Sequence, residues 1–443
     1  MEQPLTKNIN PAEEPLDLPR YERAGGYQAV RTALERMAPG DLTSLVKDAT
    51  LKGRGGAGFA TGMKWGFVPM GEDAPRPKYL VANADEMEPG SFKDRLLLEG
   101  DPHQIIEGVI LGAFAIGAEV AYIFLRGEYR ASARILSRAI AEAKAAGLLG
   151  RDILGSGFDL ELHLHRSAGR YICGEETALL NALEGTRAVP RTKPPFPQAA
   201  GLWGKPTVVN NVETLCNVPH IVAHGARWFR DLSRSEDGGT KIYGASGRIR
   251  RPGAWELPMG TPIREILEEH AGGMHPGYGF RGVLPGGAST DFLVERHLDL
   301  PMDFDSLIPA GSRLGTGTMI LLDDRTCPVG LCLNLERFFA QESCGWCTPC
   351  RDGLPFVART LEAIEAGEGR EEDLRMLERH TRLLGMGYTF CAHAPGAMEP
   401  LQSALRHFRE DFEQHIRERR CPFRAARSQY RGRETTGGAL ANG

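Results

Sequence analysis

The amino-acid sequence predicts an α/β protein whose largest domain is a mostly parallel sheet covered by helices. Between residues 26 and 235, short apolar strands alternate with segments of helical periodicity, which is the order typical of parallel sheets. From residue 236 the pattern changes to short strands between Gly/Pro turns, and from residue 331 to amphipathic helices. We therefore expect a small α+β domain over 236–330 and a four-helix bundle over 331–420.

The elements of the first domain follow from periodicity and from residues that end helices. Residues 1–25 form a Pro- and Glu-rich arm that we expect to be loosely ordered. Gly147 is a normal C-cap for the Ala-rich helix before it. The predicted helices are Tyr27–Met37, Asp41–Asp48, Pro102–Ile116, Glu128–Ala146 and Glu175–Leu183, and the predicted strands are Tyr79–Ala82, Val120–Leu125 and Phe158–His165.

The later elements are short strands followed by longer helices. The predicted strands are Thr240–Ser246, Gly253–Leu257, Gly282–Leu284 and Met319–Leu322, with one helix, Pro262–His270, among them. Apolar residues at helical spacing indicate three C-terminal helices: Leu354, Val357, Leu361 and Ile364; Leu374, Leu377 and Leu384; and Leu401, Leu405, Phe408, Phe412 and Ile416. The Arg/Gly-rich tail 421–443 is predicted to be disordered.

Composition and charge exclude several classes of function. The 443-residue chain has a net charge of −4 and no visible basic stripe, which argues against nucleic acid as its main partner. Its N-terminus lacks a basic region followed by an apolar core, so it does not resemble a secretory signal. The longest apolar stretch, around residues 105–116, is too short to span a bilayer. We expect a cytoplasmic protein without direct membrane insertion.

The strongest chemical signal is a set of four cysteines. Cys344, Cys347 and Cys350 are three positions apart, and Cys391 follows later in the chain. Four thiolates in this pattern suit a [4Fe–4S] cluster, whereas zinc sites more often combine two separated C-x-x-C pairs. The spacing favours a cluster, with zinc as the alternative. The remaining cysteines lack ligand-like spacing and are expected to be buried or free thiols: Cys173, Cys216, Cys327, Cys332 and Cys421.

A glycine-rich loop, GRGGAGF at 53–59, is expected to cradle a phosphate or a cofactor. Backbone N–H groups without a Cβ can approach phosphate closely. The loop contains G-x-G-x-x-G, but the residues before it have helical spacing, and no acidic residue follows at the usual distance. It is therefore not an ordinary dinucleotide-binding fingerprint, and a flexible loop without a ligand is the alternative.

Three further polar loops indicate that the glycine loop belongs to a common pocket. NADEMEPG at 83–90 follows a predicted strand, where open α/β sheets bind ligands. YICGEET at 171–177 opens a helix whose N–H groups are placed to hold a phosphate. VNNVET at 209–214 offers paired amides that suit the edges of a flavin ring.

Lys64 and three aromatic residues have two interpretations each. Lys64 follows the glycine loop, so a surface lysine and a cofactor contact are equally consistent with its position. Phe59, Phe67 and Phe196 would be assigned to the core by default, but flat rings near a nucleotide site can stack on adenine.

In this order, the motifs resemble those of the NADH-oxidising, flavin-binding subunits of respiratory complex I. The resemblance extends over about residues 26–420 and implies a Rossmann-like FMN-binding domain, a small β-grasp module at 244–273 and a helical cluster domain. It rests on GRGGAGF at 53–59, NADEMEPG at 83–90, GRYICGEETALLNALEG at 169–185, KPPFP at 193–197, VNNVETL at 209–215, ESCGWCTPCRDG at 342–353 and FCAHAPGA at 390–397.

The resemblance also implies the residues that bind each group. It implies that FMN contacts Gly53, Arg54, Gly55, Lys64, Asn83, Asp85, Glu86, Tyr171, Gly174, Glu175, Asn210, Asn211 and Thr214. It implies that NADH, the substrate, contacts Gly56, Ala57, Gly58, Phe59, Phe67, Glu88, Glu176 and Phe196. It implies one [4Fe–4S] cluster on Cys344, Cys347, Cys350 and Cys391. No residue is assigned as catalytic, because the flavin carries the chemistry.

The implied function is hydride transfer from NADH to FMN, followed by single-electron transfer through the cluster towards quinone. The implied partners are other hydrophilic-arm subunits of complex I, especially a thioredoxin-like [2Fe–2S] subunit and a large iron–sulfur subunit, which would place the chain peripherally at the inner membrane. One alternative is the diaphorase subunit of an NAD-linked hydrogenase or formate dehydrogenase; the short, cysteine-free segment before residue 26 favours complex I. A non-catalytic zinc-binding scaffold is the other alternative.

Overall fold

The computed structural model describes residues 2–424, and the predicted tail lies outside the described residues from 425 onward. Its first sheet is parallel, with four strands in the order β3-β2-β1-β4. Tyr79 lies opposite both Val120 and Thr207 in the register. The strands are β1 (Tyr79–Ala84), β2 (Val120–Leu125), β3 (Glu161–Arg166) and β4 (Thr207–Asn211). The predicted parallel sheet is therefore confirmed.

Helices pack against this sheet and supply most of the core. Almost every residue of Pro102–Ile116 is buried, as expected for an apolar helix packed on several sides. The helices are α1 (Leu18–Arg23), α2 (Gln28–Arg36), α3 (Pro39–Asp48), α4 (Thr61–Gly66), α5 (Lys93–Gly100), α6 (Pro102–Ile116), α7 (Arg130–Ala145), α8 (Glu176–Leu183), α9 (Pro197–Ala200), α10 (Val212–His224) and α11 (Ala226–Asp231). Short 3₁₀ turns occur at Ile153–Gly155, Tyr171–Gly174, Leu202–Gly204 and Glu295–His297.

A second, mixed sheet follows, as the sequence predicts for a small α+β domain. Its strands are β5 (Thr240–Ser246), β6 (Gly253–Pro258), β7 (Phe280–Leu284) and β8 (Thr318–Asp323), in the order β6-β5-β8-β7. Strands β5 and β8 are parallel, and the outer pairs are antiparallel. One helical segment, α12 (Ile263–Glu265), continues into a π-helical turn at Ile266–His270. Its apolar residues fill the core of this domain.

The C-terminal domain is helical, as predicted, but its last helix is divided. The helices are α13 (Pro328–Glu342), α14 (Thr348–Ala366), α15 (Glu371–Leu383), α16 (His393–His407) and α17 (Arg409–Glu418). The single helix expected over 401–416 breaks at Phe408, whose backbone leaves the helical region at φ −127°, ψ 27°. The side chain of Phe408 stays buried, so the apolar periodicity continues across the break. Periodicity alone could not reveal it.

The N-terminal arm is packed rather than loosely ordered. Leu5 is fully buried. The buried carboxylate of Glu256 in β6 accepts hydrogen bonds from the backbone N–H groups of Leu5 and Thr6 at 3.0 and 2.8 Å. Because a buried carboxylate needs donors, these bonds fix the arm. The first residues of the predicted tail are also ordered, since Cys421 is buried against the helices.

Candidate functional site

The four loops singled out in the sequence converge on one cleft of about 1320 Å³. Strands β1 and β4 are parallel neighbours, and Asn83 near the end of β1 lies opposite Asn211 at the end of β4. The polar segments after these strands therefore leave the sheet side by side, at the edge where open α/β sheets bind ligands. Strand β4 is not predicted from the sequence, because only three apolar or β-branched residues precede its asparagines.

Nearly all residues predicted to contact a cofactor or NADH line this cleft. The lining includes Gly53, Gly55, Gly56, Ala57, Gly58, Phe59, Lys64, Phe67, Asn83, Asp85, Glu86, Glu88, Tyr171, Gly174, Glu175, Glu176, Phe196, Asn210, Asn211 and Thr214. Arg54 is the exception. Its guanidinium is fully buried and donates to the carbonyl oxygens of Gly238 and Thr240 at 2.7 and 3.0 Å. The Arg54 side chain therefore anchors the loop to β5, and a contact between Arg54 and FMN stays a prediction.

The glycine loop is a closed and rigid turn rather than a flexible one. The N–H of Gly53 donates to the carbonyl of Phe59 at 2.8 Å. Gly58 has φ +67°, and a Cβ there would lie 2.4 Å from the ring of Phe304. Both the positive φ and the lack of space for a side chain require glycine at this position. The loop follows α3 and not a strand, as the sequence predicts.

Two predicted cofactor residues use their carboxylates to cap helices. Glu86 accepts hydrogen bonds from the N–H groups of Lys93 and Asp94 at 2.8 and 3.0 Å, at the start of α5. Glu175 accepts from the N–H groups of Thr177 and Ala178 at 2.9 and 2.8 Å, at the start of α8. The expectation that the N–H groups of α8 hold a phosphate is therefore wrong, because Glu175 occupies them.

Asp85 presents the polar atom that most clearly fits a bound cofactor. Its Oδ1 accepts a hydrogen bond from the hydroxyl of Ser167 at 3.1 Å. Its Oδ2 is buried, and no hydrogen-bond donor within the described residues reaches it. Burial raises the pKa of Asp85 to about 7. Because an orphaned buried carboxylate oxygen is costly, this atom is suited to accept a hydrogen bond from a hydroxyl or imide of FMN.

Replacement of Asp85 by asparagine is expected to stabilise the FMN-free protein at alkaline pH. A carboxyl whose pKa is raised by folding stabilises the protein below its unfolded pKa, and this contribution is lost as pH rises through the folded pKa. Above about pH 7, D85N should therefore exceed the wild type in free energy of unfolding by about 1–3 kcal/mol. Urea unfolding at several pH values measures this difference, and an identical pH slope in both proteins would contradict it.

A network of ion pairs lies in the cleft wall at the start of α8. The ammonium of Lys64 contacts the Glu176 carboxylate at 2.7 Å and donates to the carbonyl of Val209 at 2.8 Å. Lys193 contacts Glu175 and Glu176, each at 3.1 Å. Burial favours the neutral carboxyl, but the two lysines outweigh it and lower the pKa of Glu176. Glu176 is therefore ionised at neutral pH. Lys64 belongs to the site and is not a free surface lysine.

The three phenylalanines lie at the mouth of the cleft. Their exposed fractions are 50% for Phe59, 58% for Phe67 and 56% for Phe196, so the core interpretation does not hold. The rings of Phe59 and Phe67 are 6.4 Å apart between centroids. Exposed aromatic rings gathered at a cleft are unusual in a soluble domain. They form a surface on which a flat base can stack.

The structure adds residues that the sequence analysis did not single out. Lys93 and Asp94 line the cleft and form a buried ion pair at 2.6 Å, and Lys93 also contacts Glu213 at 2.7 Å. Ser289 and Arg313 come from the region of the second sheet. No local signal indicates the contact between Lys93 and Glu213 or the approach of Ser289 and Arg313 to the cleft, because these residues lie far apart in the sequence.

The four predicted cluster ligands meet in one small pocket between α8 and the helical domain. Ile172, Pro190, Trp346 and Phe390 surround the cysteines, which are Cys344, Cys347, Cys350 and Cys391. Four thiols gathered in a small, largely apolar pocket suit a [4Fe–4S] cluster, which takes four thiolate ligands.

The cysteine pocket adjoins the cleft directly. Ile172, Cys391 and His393 line both spaces. The Nε2 of His393 donates a hydrogen bond to the carbonyl oxygen of Phe339 at 2.8 Å, which holds its ring at the start of α16. The loop from Cys391 to His393 is therefore the wall shared by the two sites.

Three family models match successive parts of the chain. The Nuo51 FMN-binding domain matches residues 46–220, the SLBB domain matches 245–292, and the NADH-ubiquinone oxidoreductase-F iron-sulfur binding region matches 330–415. The first match contains the cleft loops, and the third contains all four cysteines of the cluster pocket.

Curated relatives are similar along nearly the whole chain. The F subunits of NADH-quinone oxidoreductase from Salmonella typhimurium and Escherichia coli are each 58% identical over 94% of this chain and 93% of their own length. The F 2 subunit of the Rhizobium meliloti NADH-quinone oxidoreductase is 54% identical over 95% of this chain and 99% of that protein.

Solved structures give a second comparison. A chain in the crystal structure of an NAD⁺-reducing [NiFe]-hydrogenase in the air-oxidized state is 35% identical, with a TM-score of 0.75 over 87% of this chain and 66% of that chain. A chain in the H₂-reduced state of such an enzyme is 34% identical, with a TM-score of 0.78 over 94% of this chain and 70% of that chain.

Proposed function

The chain belongs to the family of F subunits of NADH-quinone oxidoreductase, and we propose on this basis that the cleft binds FMN and NADH beside a [4Fe–4S] cluster. Membership of this family makes oxidation of NADH, with FMN and an iron–sulfur cluster, the function of the chain. The observation that carries the proposal is the shared wall, since Cys391 lines both the cysteine pocket and the cleft.

We assign FMN to the inner part of the cleft and NADH to its mouth. The orphaned oxygen of Asp85 lies just after β1, and Gly55 at the start of the glycine loop packs against Asn211 at the end of β4, so a flavin nucleotide would be enclosed at this edge of the sheet. The exposed rings of Phe59, Phe67 and Phe196 lie at the mouth and suit the adenine of NADH. When bound, FMN supplies a hydride acceptor that also gives up single electrons.

The side chains of the cleft bind and orient the reactants. Stacking a nicotinamide against a fixed flavin converts hydride transfer into an effectively intramolecular step. Glu88 accepts hydrogen bonds from the Tyr171 hydroxyl and the Ser289 N–H, both at 2.6 Å, so it holds the cleft wall together. No side chain is required as a general acid or base.

Partners are proposed from the family. Members are named as subunits of NADH-quinone oxidoreductase, so this chain would dock onto other subunits of its hydrophilic arm. We propose that these include a thioredoxin-like [2Fe–2S] subunit and a large iron–sulfur subunit, with the assembly at the cytoplasmic face of the membrane. Within the described residues, no helix is long and apolar enough to cross a bilayer.

A diaphorase subunit of an NAD-linked hydrogenase is the second candidate. The structural similarity to NAD⁺-reducing hydrogenases favours the same chemistry in the cleft. Identity of 58% to the complex I relatives against 34–35% to the hydrogenase chains favours complex I. Identification of the proteins that co-purify with the chain separates the two.

Absorbance and metal content of the purified chain test the proposed function. We expect stoichiometric FMN, about four iron atoms per chain, and bleaching of the flavin absorbance on anaerobic addition of NADH. A colourless protein that binds zinc at the four cysteines would instead support the scaffold alternative.

Glu176 is expected to favour NADH over NADPH. Its carboxylate is ionised because Lys64 and Lys193 lower its pKa, and a negative charge near the ribose would repel a 2′-phosphate. In E176A, the ratio of kcat/KM for NADH to that for NADPH should fall about tenfold, which corresponds to about 1.4 kcal/mol. Glu184→Gln, at the end of the same helix, is the matched control. Equal ratios in wild type and E176A would contradict the assignment.

A further inference from the structure

A second group of possible metal ligands lies in the helical domain, away from the cluster pocket. Cys327, Glu365, His415 and Cys421 each offer one ligand atom, and these four atoms lie within 4.8 Å of one another. Cys327 and His415 are fully buried, and Cys421 and Glu365 are nearly so. Both cysteines were expected to have no ligand-like partners, whereas the fold brings them together.

The four residues come from separate segments that meet at one end of the helical domain. Cys327 is the N-cap of α13, and its sulfur accepts a hydrogen bond from the N–H of Gly330 at 3.2 Å. Glu365 lies in the last turn of α14, His415 lies in α17, and Cys421 follows the end of α17. A single bound ion would therefore join the ends of three helices.

The distances suit one tetrahedral ion. The Cys327 sulfur lies 3.2 Å from Glu365 Oε2 and 3.3 Å from His415 Nε2, and these two atoms lie 3.1 Å apart. A tetrahedral zinc with ligands at about 2.0–2.3 Å separates such atoms by about 3.3–3.8 Å. Small movements would accommodate the ion, without rotation of any side chain away from the group.

The orientation of His415 is compatible with a bound ion. Its Nδ1 lies 2.6 Å from the carbonyl oxygen of Asp411, which can only accept a hydrogen bond, so Nδ1 carries a proton. In the neutral ring, Nε2 then offers a lone pair towards the carboxylate oxygen of Glu365, which is also an acceptor. Two acceptors 3.1 Å apart need a cation or a proton between them. The Asp411 carbonyl is placed as the outer partner that orients a metal-bound imidazole.

We propose that Cys327, Glu365, His415 and Cys421 bind one structural Zn²⁺, separate from the iron–sulfur cluster. Two thiolates favour zinc over magnesium or calcium, which prefer oxygen ligands. Four buried protein ligands leave no open position for substrate, which is typical of structural zinc sites. Binding requires two thiolates and an unprotonated Nε2, and the displaced protons pass to solvent.

Zinc content and zinc K-edge X-ray absorption of the full-length holoprotein test the proposal. We expect one zinc per chain in addition to the iron, with two sulfur ligands at about 2.3 Å and two nitrogen or oxygen ligands at about 2.0–2.1 Å. C421S and H415A should lower the zinc content at least tenfold and leave iron and FMN unchanged. Cys332→Ser, which alters a buried thiol in α13 outside the group, should retain the zinc.

The Cys391→Ser variant separates this site from adventitious zinc in the cluster pocket, because zinc bound as proposed should survive that change. The zinc K-edge X-ray absorption spectrum of the wild-type protein tests the proposed ligands even if a variant that lacks one of them does not fold. The proposal is overturned if zinc-replete protein binds no Zn²⁺, if the bound zinc has no sulfur ligands, or if both C421S and H415A keep their zinc. If a shared proton or a Cys327–Cys421 disulfide joined these residues instead, zinc-replete protein would bind no Zn²⁺.

Discussion

Replacement of Cys391 by serine is expected to remove the iron–sulfur cluster while NADH still reduces the bound FMN. Cys391 supplies the one predicted ligand outside the C-x-x-C-x-x-C segment, and a cluster of this type needs four thiolates. The cleft residues that bind FMN come mainly from the first domain and keep their contacts. Electron transfer to quinone should fall about 100-fold or more, whereas flavin bleaching by NADH should persist.

Electron paramagnetic resonance and iron analysis measure this effect. C391A should behave like C391S, which excludes ligation by the serine oxygen. Cys216→Ser, a fully buried thiol in α10, is the control that should keep the cluster. An unchanged cluster signal in C391A, or loss of flavin reduction together with the cluster, would show that the two sites are not arranged as described.

Replacement of Glu213 by glutamine is expected to cause a large loss in the free energy of unfolding. Glu213 is fully buried and contacts the ammonium groups of Lys93 at 2.7 Å and Lys241 at 3.3 Å. Burial alone would raise the pKa of this carboxyl, but Lys241, Lys93 and Arg54 outweigh it and lower the pKa to about 2. Loss of this charge leaves the buried ammonium of Lys241 without its carboxylate partner, which costs about 3–5 kcal/mol.

Denaturant unfolding of E213Q measures this loss, and a double variant provides the control. Burial lowers the pKa of Lys241 to about 7, so this lysine is the cation most strained by removal of its partner. E213Q/K241M should therefore recover part of the stability lost in E213Q. FMN content should fall in E213Q, because Lys93 lines the cleft. An E213Q protein with wild-type stability would refute the role of this charge network.

Much of the site could be predicted because its chemistry lies in short, contiguous motifs. The glycine loop, the asparagines of 209–214 and the C-x-x-C-x-x-C segment each carry their residues close together in the sequence. Parallel strands β1 and β4 then bring separate motifs to one edge, as the strand–helix alternation implies. The Phe residues at the mouth were identified for the same reason, as neighbours of those motifs.

The remaining features depend on the direction of side chains or on distant partners. The sequence places Arg54 in the glycine loop, but only the fold shows that its side chain turns towards β5. Glu175 precedes a helix, and the choice between capping it and leaving its N–H groups to a phosphate depends on one rotamer. The ligands of the proposed zinc site lie on separate segments with no periodic spacing.

FMN in the cleft is expected to be the route by which electrons from NADH reach the cluster. Anaerobic NADH titration, followed by electron paramagnetic resonance, tests it in holoprotein, in FMN-depleted protein and in depleted protein with FMN restored. The arrangement around Cys391 predicts a reduced-cluster signal in the first and third samples and its absence in the second. Equal reduction of the cluster by NADH in the FMN-depleted protein would contradict this route. A holoprotein in which NADH fully reduces the flavin, but only dithionite reduces the cluster, would also contradict it.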